Sequence, residues 1–183
     1  MKIGILREEK FPRASRVPLT PSQCKFLMER NPDVEIVVQP CKYRCFTNEE
    51  FTYQGIKLQE DLSDCEILMG VKEVPPAYFI EGKTYLFFSH VIKKQPHNRK
   101  MLQTALAKKI KLVDYECLKD KKGKRIIAFG RWAGIVGAYH AIRMIGFRTS
   151  RFRLRQMIDC LNFAEAQKEL EKLDLPNWKI VLT

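Results

Sequence analysis

The sequence predicts an α/β fold in which helices cover both faces of a mainly parallel sheet. Short, almost continuous apolar runs, such as residues 67–71 and 85–88, alternate along the chain with segments of helical character. Several of these helical segments begin at capping residues, and several apolar runs stop abruptly at charged side chains. Strands that are apolar along their whole length are buried on both sides, as in a parallel sheet. The predicted architecture is therefore Rossmann-like and doubly wound.

The individual elements are predicted from these apolar runs and from the capping and turn residues that separate them. The expected strands are residues 2–6, 34–38, 66–71, 84–88 and 110–113, with a further β-branched run at 125–129. The first helix has Thr20 as its N-cap and ends at Asn31, and a short second helix begins at Thr47 and is closed by Gly55. Later helices are expected at 96–108, at 130–146, where Gly134 and Gly137 permit close packing of a buried helix, and at 154–173.

Composition narrows the class of protein. The chain has 183 residues, of which 45% are hydrophobic and 30% charged, which suits a globular domain with a sizeable core. No apolar run approaches the roughly 20 residues that span a bilayer, and the first residues lack a signal peptide's apolar segment. We therefore expect a cytoplasmic protein without a membrane partner. The scattered spacing of the six cysteines predicts reduced, mostly buried thiols and no metal site.

The net charge of +12 leaves open nucleic acid, an anionic membrane or acidic substrates as partners. The charge is mostly diffuse, and its densest block is residues 143–155. Because no nucleic-acid-binding motif accompanies that block, a solvated face is favoured over nucleic-acid binding.

Polar side chains follow three of the predicted strands at the point where each strand ends. Lys72 and Glu73 come after the first, His90 after the second and Glu116 after the third. In open α/β sheets, ligands bind outside the carboxyl ends of the strands, so these side chains are candidates for one pocket. The alternatives are a solvated strand end for Lys72 and a satisfied core histidine for His90.

The last residues, 178–183, read as an apolar strand after a helix, which is the pattern that precedes a Gly-rich dinucleotide-binding loop. Since no such loop follows, we expect a substrate domain at 1–147, a helical connector at 148–176 and the first strand of a truncated dinucleotide-binding domain at 177–183. The alternative is that this strand closes the domain's own sheet. A truncated chain would be inactive alone and would not bind NAD(H).

Five motifs occur in a fixed order: KIGILREE with SRVPLTP, GVKEVPP, FFSHVIKKQ, LVDYE and AFGRWAG. Together they resemble the N-terminal domain of the alanine dehydrogenase and transhydrogenase superfamily. Within it the chain looks most like saccharopine dehydrogenase (lysine-forming) and the lysine–ketoglutarate reductase half of the bifunctional lysine-degrading enzyme. The resemblance covers residues 1–147.

This resemblance implies an oxidoreductase that uses NAD or NADP to interconvert saccharopine with lysine plus 2-oxoglutarate. It assigns Lys72 and His90 to acid–base catalysis, Glu73 and Glu116 to their tuning, and Arg16 to a substrate carboxylate. It also assigns Gln95, Arg125 and Phe129 to lining the substrate site, and Lys124 to a position near the cofactor.

The residue types suit that chemistry. Oxidising a secondary amine requires a base to take its proton, and hydrolysing the imine requires water to be activated, so a lysine and a histidine can divide the proton transfers. Saccharopine has three carboxylates, which arginines such as Arg16 and Arg125 can bind. The main cofactor site is expected beyond residue 183, in a C-terminal cofactor domain of the same polypeptide. The alternatives are a non-catalytic basic binding or regulatory module and an alanine dehydrogenase-like amino-acid oxidoreductase domain.

Overall fold

The computed structural model describes residues 1–12, 14–175 and 179, and it divides into two compact units, Met1–Ile127 and Ala128–Thr183. The first unit contains the sheet. Its strands are β1 (Lys2–Ile5), β2 (Glu35–Val38), β3 (Lys57–Leu58), β4 (Ile67–Met69), β5 (Thr84–Phe87) and β6 (Lys111–Asp114). Its helices are α1 (Pro21–Arg30), α2 (Asn48–Tyr53) and α3 (Arg99–Ala107).

The sheet has the order β3-β2-β1-β4-β5-β6, and every neighbouring pair of strands is parallel. From β1, which lies between β2 and β4, the strand order runs outward in both directions, to β3 at one edge and to β6 at the other. This topology confirms the predicted doubly wound α/β fold. It also gives all six strands a common carboxyl edge, where such sheets bind ligands.

Alternating side chains of β2 face two separate hydrophobic clusters on opposite sides of the sheet. Along β2, Ile36 and Val38 pack in a cluster with Phe51 of α2, whereas Val37 packs in a second cluster with Met101 of α3. Since successive strand residues point to opposite faces, the helices cover both faces of the sheet.

Helix capping agrees closely with the sequence prediction. Thr20 and Thr47 are the N-caps of α1 and α2, and each forms a full capping box with the residue at N3, Gln23 or Glu50. Gly55, after α2, has a φ of 79°, a conformation that a residue with a Cβ rarely adopts.

The prediction of a strand at 125–129 is wrong. The chain forms the predicted turn on Gly123 and then makes only an isolated antiparallel bridge between Lys119 and Arg125. Asp120 caps this turn through hydrogen bonds from the backbone N–H groups of Lys122 and Lys124, so the segment folds back on itself instead of joining the sheet.

The second unit contains α4 (Gly130–Thr149) and α5 (Phe163–Glu171) around a small core of Tyr139, Leu154 and Ala166. A helix at 130–146 is confirmed, but its predicted burial is wrong, because Tyr139 and Gly146 are the buried residues of α4. No described atom lies within 4 Å of a Cβ added at Gly134 or Gly137. The tight glycine is Gly146, which contacts Phe152.

The predicted helix at 154–173 is also wrong in its first half, because α5 begins only at Phe163. The side chain of Asn162 caps α5 by accepting from the Glu165 N–H, and the Glu165 carboxylate in turn accepts from the N–H of Leu161. Arg155 forms ion pairs with Glu165 and Glu169. These local bonds compete with a continuous helix over 154–162.

The predicted strand at 177–183 lies outside the described residues, apart from Lys179, so the predicted division at 147 and 176 stays a prediction. Three of the six cysteines, Cys24, Cys41 and Cys65, are buried, which corrects the expectation that most would be. None of the helices in the described part of the chain is long and apolar enough to cross a membrane.

Candidate active site

The predicted strand-end residues follow three strands that are neighbours in the sheet. Lys72 follows β4, His90 follows β5 and Glu116 follows β6, all at the carboxyl edge. The backbone pairing between β4 and β5 continues past the ends of both strands, since the N–H of Phe88 donates to the carbonyl of Val71 at 3.1 Å. The fold therefore brings to one edge of the sheet three chain segments that are far apart in sequence.

Glu116 is the centre of a polar cluster that also contains His90, Lys93 and Arg125. Its Oε2 lies 3.0 Å from Nδ1 of His90, and its Oε1 lies 3.2 Å from Nζ of Lys93 and 3.3 Å from Nη1 of Arg125. The hydrogen bond with His90, followed by that with Lys93, lowers the pKa of the Glu116 carboxyl below its ordinary value, although partial burial opposes the shift. An ionised Glu116 can orient the imidazole ring of His90 through this hydrogen bond.

The backbone around His90 is fixed by buried polar contacts. Ser89 and Asp114 are both buried, and the Ser89 hydroxyl donates to Oδ2 of Asp114 at 2.6 Å. The other oxygen, Oδ1, accepts the N–H of Glu116 at 2.8 Å. Asp114 thus ties the end of β5 to the end of β6, and the His90 ring stacks on Phe88 with centroids 6.2 Å apart.

Two glutamates surround the end of β4. The carboxylate of Glu8, in the loop after β1, accepts the N–H of Val71 at 2.6 Å and that of Lys72 at 2.8 Å. Glu73 is buried, and its Oε2 pairs with Nζ of Lys10 at 2.7 Å. Burial alone would raise the pKa of Glu73, but the hydrogen bond and charge of Lys10, with help from the nearby His90, lower it below its ordinary value.

A cleft of about 280 Å³ opens beside this strand end. Lys72, Glu73 and Glu8 line its polar side, and Val74 and Phe79 are among its apolar residues. The cleft is large enough for several substrate atoms next to the Lys72 and Glu73 side chains. His90 belongs to the neighbouring Glu116 cluster, and the electrostatic effect of His90 on Glu73 links the two groups.

The remaining predicted site residues are less closely grouped. Arg16 is exposed in the loop after β1, and its charge acts on the Glu8 carboxylate. Gln95 is exposed just before a 3₁₀ turn, and Lys124 is exposed in the turn that Asp120 caps. Phe129 belongs to the second unit.

Sequence reasoning missed Glu8, Lys10, Lys93 and the Ser89–Asp114 pair. The signal for Glu8 was present, since it follows β1 at the same carboxyl edge as Lys72. Lys93 stands three residues after His90 in a 3₁₀ turn, and only the fold shows that its side chain reaches Glu116.

The ends of β4, β5 and β6 do not fit a dinucleotide pyrophosphate. Such a site needs a Gly-rich turn that leads from a strand directly into a helix N-terminus. Instead, β4, β5 and β6 are followed by polar or proline-containing loops and 3₁₀ turns. Among the described residues, no group of three His, Cys, Asp or Glu side chains could hold a metal ion.

Comparisons with known proteins agree with this geometry. Residues 4–136 match the family model described as "Alanine dehydrogenase/PNT, N-terminal domain". The mouse mitochondrial alpha-aminoadipic semialdehyde synthase is 35% identical over 146 residues, which cover 80% of this chain but only 16% of that protein. The Emericella nidulans saccharopine dehydrogenase [NAD(+), L-lysine-forming] is 33% identical over 144 residues, which cover 75% of this chain and 38% of that protein.

Two solved structures share the fold. An L-alanine dehydrogenase matches with a TM-score of 0.57 and 19% identity, covering 68% of this chain and 35% of the other. A transhydrogenase from Sinorhizobium meliloti matches with a TM-score of 0.63 and 12% identity, covering 80% and 44%. The family resemblance inferred from the motifs is confirmed, and the chain belongs to the alanine dehydrogenase/PNT N-terminal domain family.

Proposed function

We propose that this chain is the substrate domain of an NAD(P)-dependent oxidoreductase that acts on CH–NH bonds and interconverts saccharopine with lysine and 2-oxoglutarate. The observation that carries the proposal is the position of Lys72 and His90 after adjacent parallel strands, where Lys72 lines a cleft with Glu73 and His90 contacts Glu116. The name of the Emericella relative, a lysine-forming saccharopine dehydrogenase, supports this substrate class.

The proposed chemistry divides the proton transfers between the two strand ends. One group removes the proton from the secondary amine, and the other activates the water that attacks the imine carbon and then returns a proton to the departing amine. His90, whose Nδ1 lies 3.0 Å from Oε2 of Glu116, can do either task, because a ring nitrogen of imidazole can accept or donate a proton. When bound, the nicotinamide supplies hydride transfer; we propose that a C-terminal cofactor domain of the same polypeptide binds NAD or NADP.

Arg16 and Arg125 are the groups that we expect to bind the substrate carboxylates. Arg16 lies in the loop after β1 and Arg125 reaches the Glu116 cluster, so two guanidinium groups approach the same sheet edge from different loops. Guanidinium groups bind carboxylates through paired hydrogen bonds. Contacts of Gln95 and Phe129 with substrate, and of Lys124 with the cofactor, belong to the same proposal.

The test uses the complete polypeptide that carries this domain. Lys72→Met should lower kcat by about 10²–10⁴-fold, the usual loss for one acid–base group. Arg16→Ala should act mostly on KM, because a carboxylate contact contributes similarly to the ground and transition states. Lys57→Met, which changes an exposed lysine on the edge strand β3, is the matched control and should leave both constants unchanged.

An unchanged kcat in Lys72→Met would reduce Lys72 to a solvated strand end and remove the proposed chemistry. Turnover of pyruvate with ammonia, in place of saccharopine, would instead indicate an alanine dehydrogenase-like enzyme.

The compartment belongs to the same proposal: the sequence predicts the cytoplasm, whereas the mouse relative's name says mitochondrial. Fractionation of the source cells would distinguish them.

A further inference from the structure

Glu8 is a buried carboxylate to which the proposed chemistry assigns no task. Its side chain lies in the loop after β1 and is only 7% exposed. Both carboxylate oxygens are engaged by consecutive backbone N–H groups 63 and 64 residues away, those of Val71 and Lys72. Its own carbonyl accepts the Tyr43 hydroxyl at 2.8 Å, so backbone and side chain are both fixed.

These two hydrogen bonds lie where the ladder between β1 and β4 ends. The last backbone bond of this ladder runs from the N–H of Leu6 to the carbonyl of Met69 at 2.8 Å. Beyond this bond, the Glu8 carboxylate takes the place of a strand partner. It accepts the N–H groups of Val71 and Lys72, which follow β4. Gly70 permits this approach, because a Cβ there would come within 3.3 Å of Oε1 of Glu8.

A carboxylate is a costly way to satisfy two backbone N–H groups. Burial raises the pKa of Glu8, and the hydrogen bonds from Val71 and Lys72 and the charges of Arg16 and Lys72 offset only part of that effect. A structural cap could be supplied by a neutral oxygen without the cost of burying a charge. The match of its two oxygens to two consecutive N–H groups, the second being that of Lys72, therefore indicates a task in holding this backbone.

We propose that Glu8 is a positioning residue for Lys72: its carboxylate holds the Val71–Lys72 backbone so that the Lys72 side chain lies at the edge of the cleft. This inference rests on the proposed function, in which Lys72 transfers a proton. If the backbone under Lys72 were free to shift, the amine would lose its alignment with the substrate, and a misplacement of about 1 Å can cost about 10²-fold in rate.

The experiment compares Glu8→Gln and Glu8→Asp in the complete polypeptide. Gln keeps the length but loses the charge and one acceptor oxygen, whereas Asp keeps the charge but is shorter by one methylene. The matched control is Glu66→Gln, because Glu66 accepts the Lys2 N–H at 3.0 Å at the opposite, amino-terminal edge of the same sheet. The readouts are kcat and KM for saccharopine, and hydrogen exchange at the Val71 and Lys72 amides.

Glu8→Gln should lower kcat by about 10–100-fold with little change in KM, and should speed exchange at both amides. Glu8→Asp should show a smaller loss, since both carboxylate oxygens remain, and Glu66→Gln should match wild type in kcat, KM and exchange at those amides. Faster exchange with an unchanged kcat would overturn the inference and leave Glu8 a strand terminator. Unchanged exchange would show that the clamp does not exist.

Failure of the proposed function gives a different result. A wild-type polypeptide that does not turn over saccharopine would refute that function, and the role of Glu8 in it, while the exchange measurement would still decide whether Glu8 holds the two amides. If Glu8→Gln does not fold, Glu8→Asp still provides both readouts.

Discussion

Replacing Lys10 by Met should destabilise the first unit by about 1–2 kcal/mol near pH 7, and this loss should shrink as the pH falls below 4.5. Lys10 is the ion-pair partner of the buried Glu73, with Nζ and Oε2 2.7 Å apart. Two unit charges at that distance attract by about 6 kcal/mol at an effective dielectric constant of 20. The net contribution is much smaller, because Lys10 is 38% exposed and water screens it.

The expected magnitude lies between two known limits. Removing one partner of a fully buried pair costs about 3–5 kcal/mol, whereas exposed pairs contribute at most about 1 kcal/mol. Glu73 is 8% exposed and its partner is partly in water, so this pair belongs between those limits. Methionine retains most of the apolar stem of the lysine, so the substitution removes mainly the charge.

The pH dependence follows from the direction of the Glu73 pKa shift. Burial alone would raise this pKa, but Lys10 and the other favourable contacts hold it below its ordinary value of 4.5. A lowered pKa in the folded state gives stability that is present above 4.5 and is lost as the pH falls through the folded value. In Lys10→Met, burial prevails and the Glu73 pKa rises, so ionised Glu73 costs stability above 4.5.

Urea unfolding followed by circular dichroism at several pH values would measure this difference. The matched control is Lys25→Met, which breaks the pair between Lys25 and Glu29 on α1, where the atoms are 3.9 Å apart and both side chains are exposed. The control should lose at most about 0.5 kcal/mol and show no trend with pH. Equal losses in the two variants, or a Lys10→Met loss that stays constant down to about pH 4, would refute the electrostatic argument.

Three further predictions concern packing, hydroxyl groups and capping. Gly4→Ala should destabilise the chain by about 1–3 kcal/mol in urea unfolding, because the new Cβ would come within 2.9 Å of Leu62 and Leu68 side-chain atoms. Tyr115→Phe should be neutral or stabilising, since its buried hydroxyl has no described hydrogen-bond partner. Tyr85→Phe should instead cost about 1 kcal/mol, because its hydroxyl bonds the Ile80 N–H and the Tyr78 carbonyl. Thr47→Ala should lower the melting temperature through a loss of about 1 kcal/mol at the α2 cap.

The sheet and its capped helices could be predicted from the sequence because their signals are local. The apolar runs that became β4, β5 and β6 stop within a residue or two of the observed strand ends, and the polar residues that follow them mark the carboxyl edge. The two-residue strand β3 could not be found in this way, because its pairing with β2 depends on the neighbouring strand and not on its own composition. The run at 125–129 has strand propensity, but the turn that Asp120 caps directs it away from the sheet.

The site was predictable only in part, for the same reason. Strand-end position identified Lys72, His90 and Glu116, since the parallel topology brings such ends to one edge. The partners of these residues depend on contacts across long stretches of chain. Lys10 and Glu73 are 63 residues apart, and no local pattern in either segment specifies that they pair.

The polar groups of the site are held by ties between the strands themselves. The Glu8 carboxylate joins the loop after β1 to the end of β4, the backbone bond from Phe88 to Val71 joins β4 to β5, and Asp114 joins β6 to β5 through Ser89. Each tie is short and at least partly buried, so water competes poorly for it. If the proposed function holds, a site fixed in this way would meet substrate with its polar groups already oriented. Substitutions that cut a tie should therefore act on the rate of the chemical step more than on the affinity for substrate.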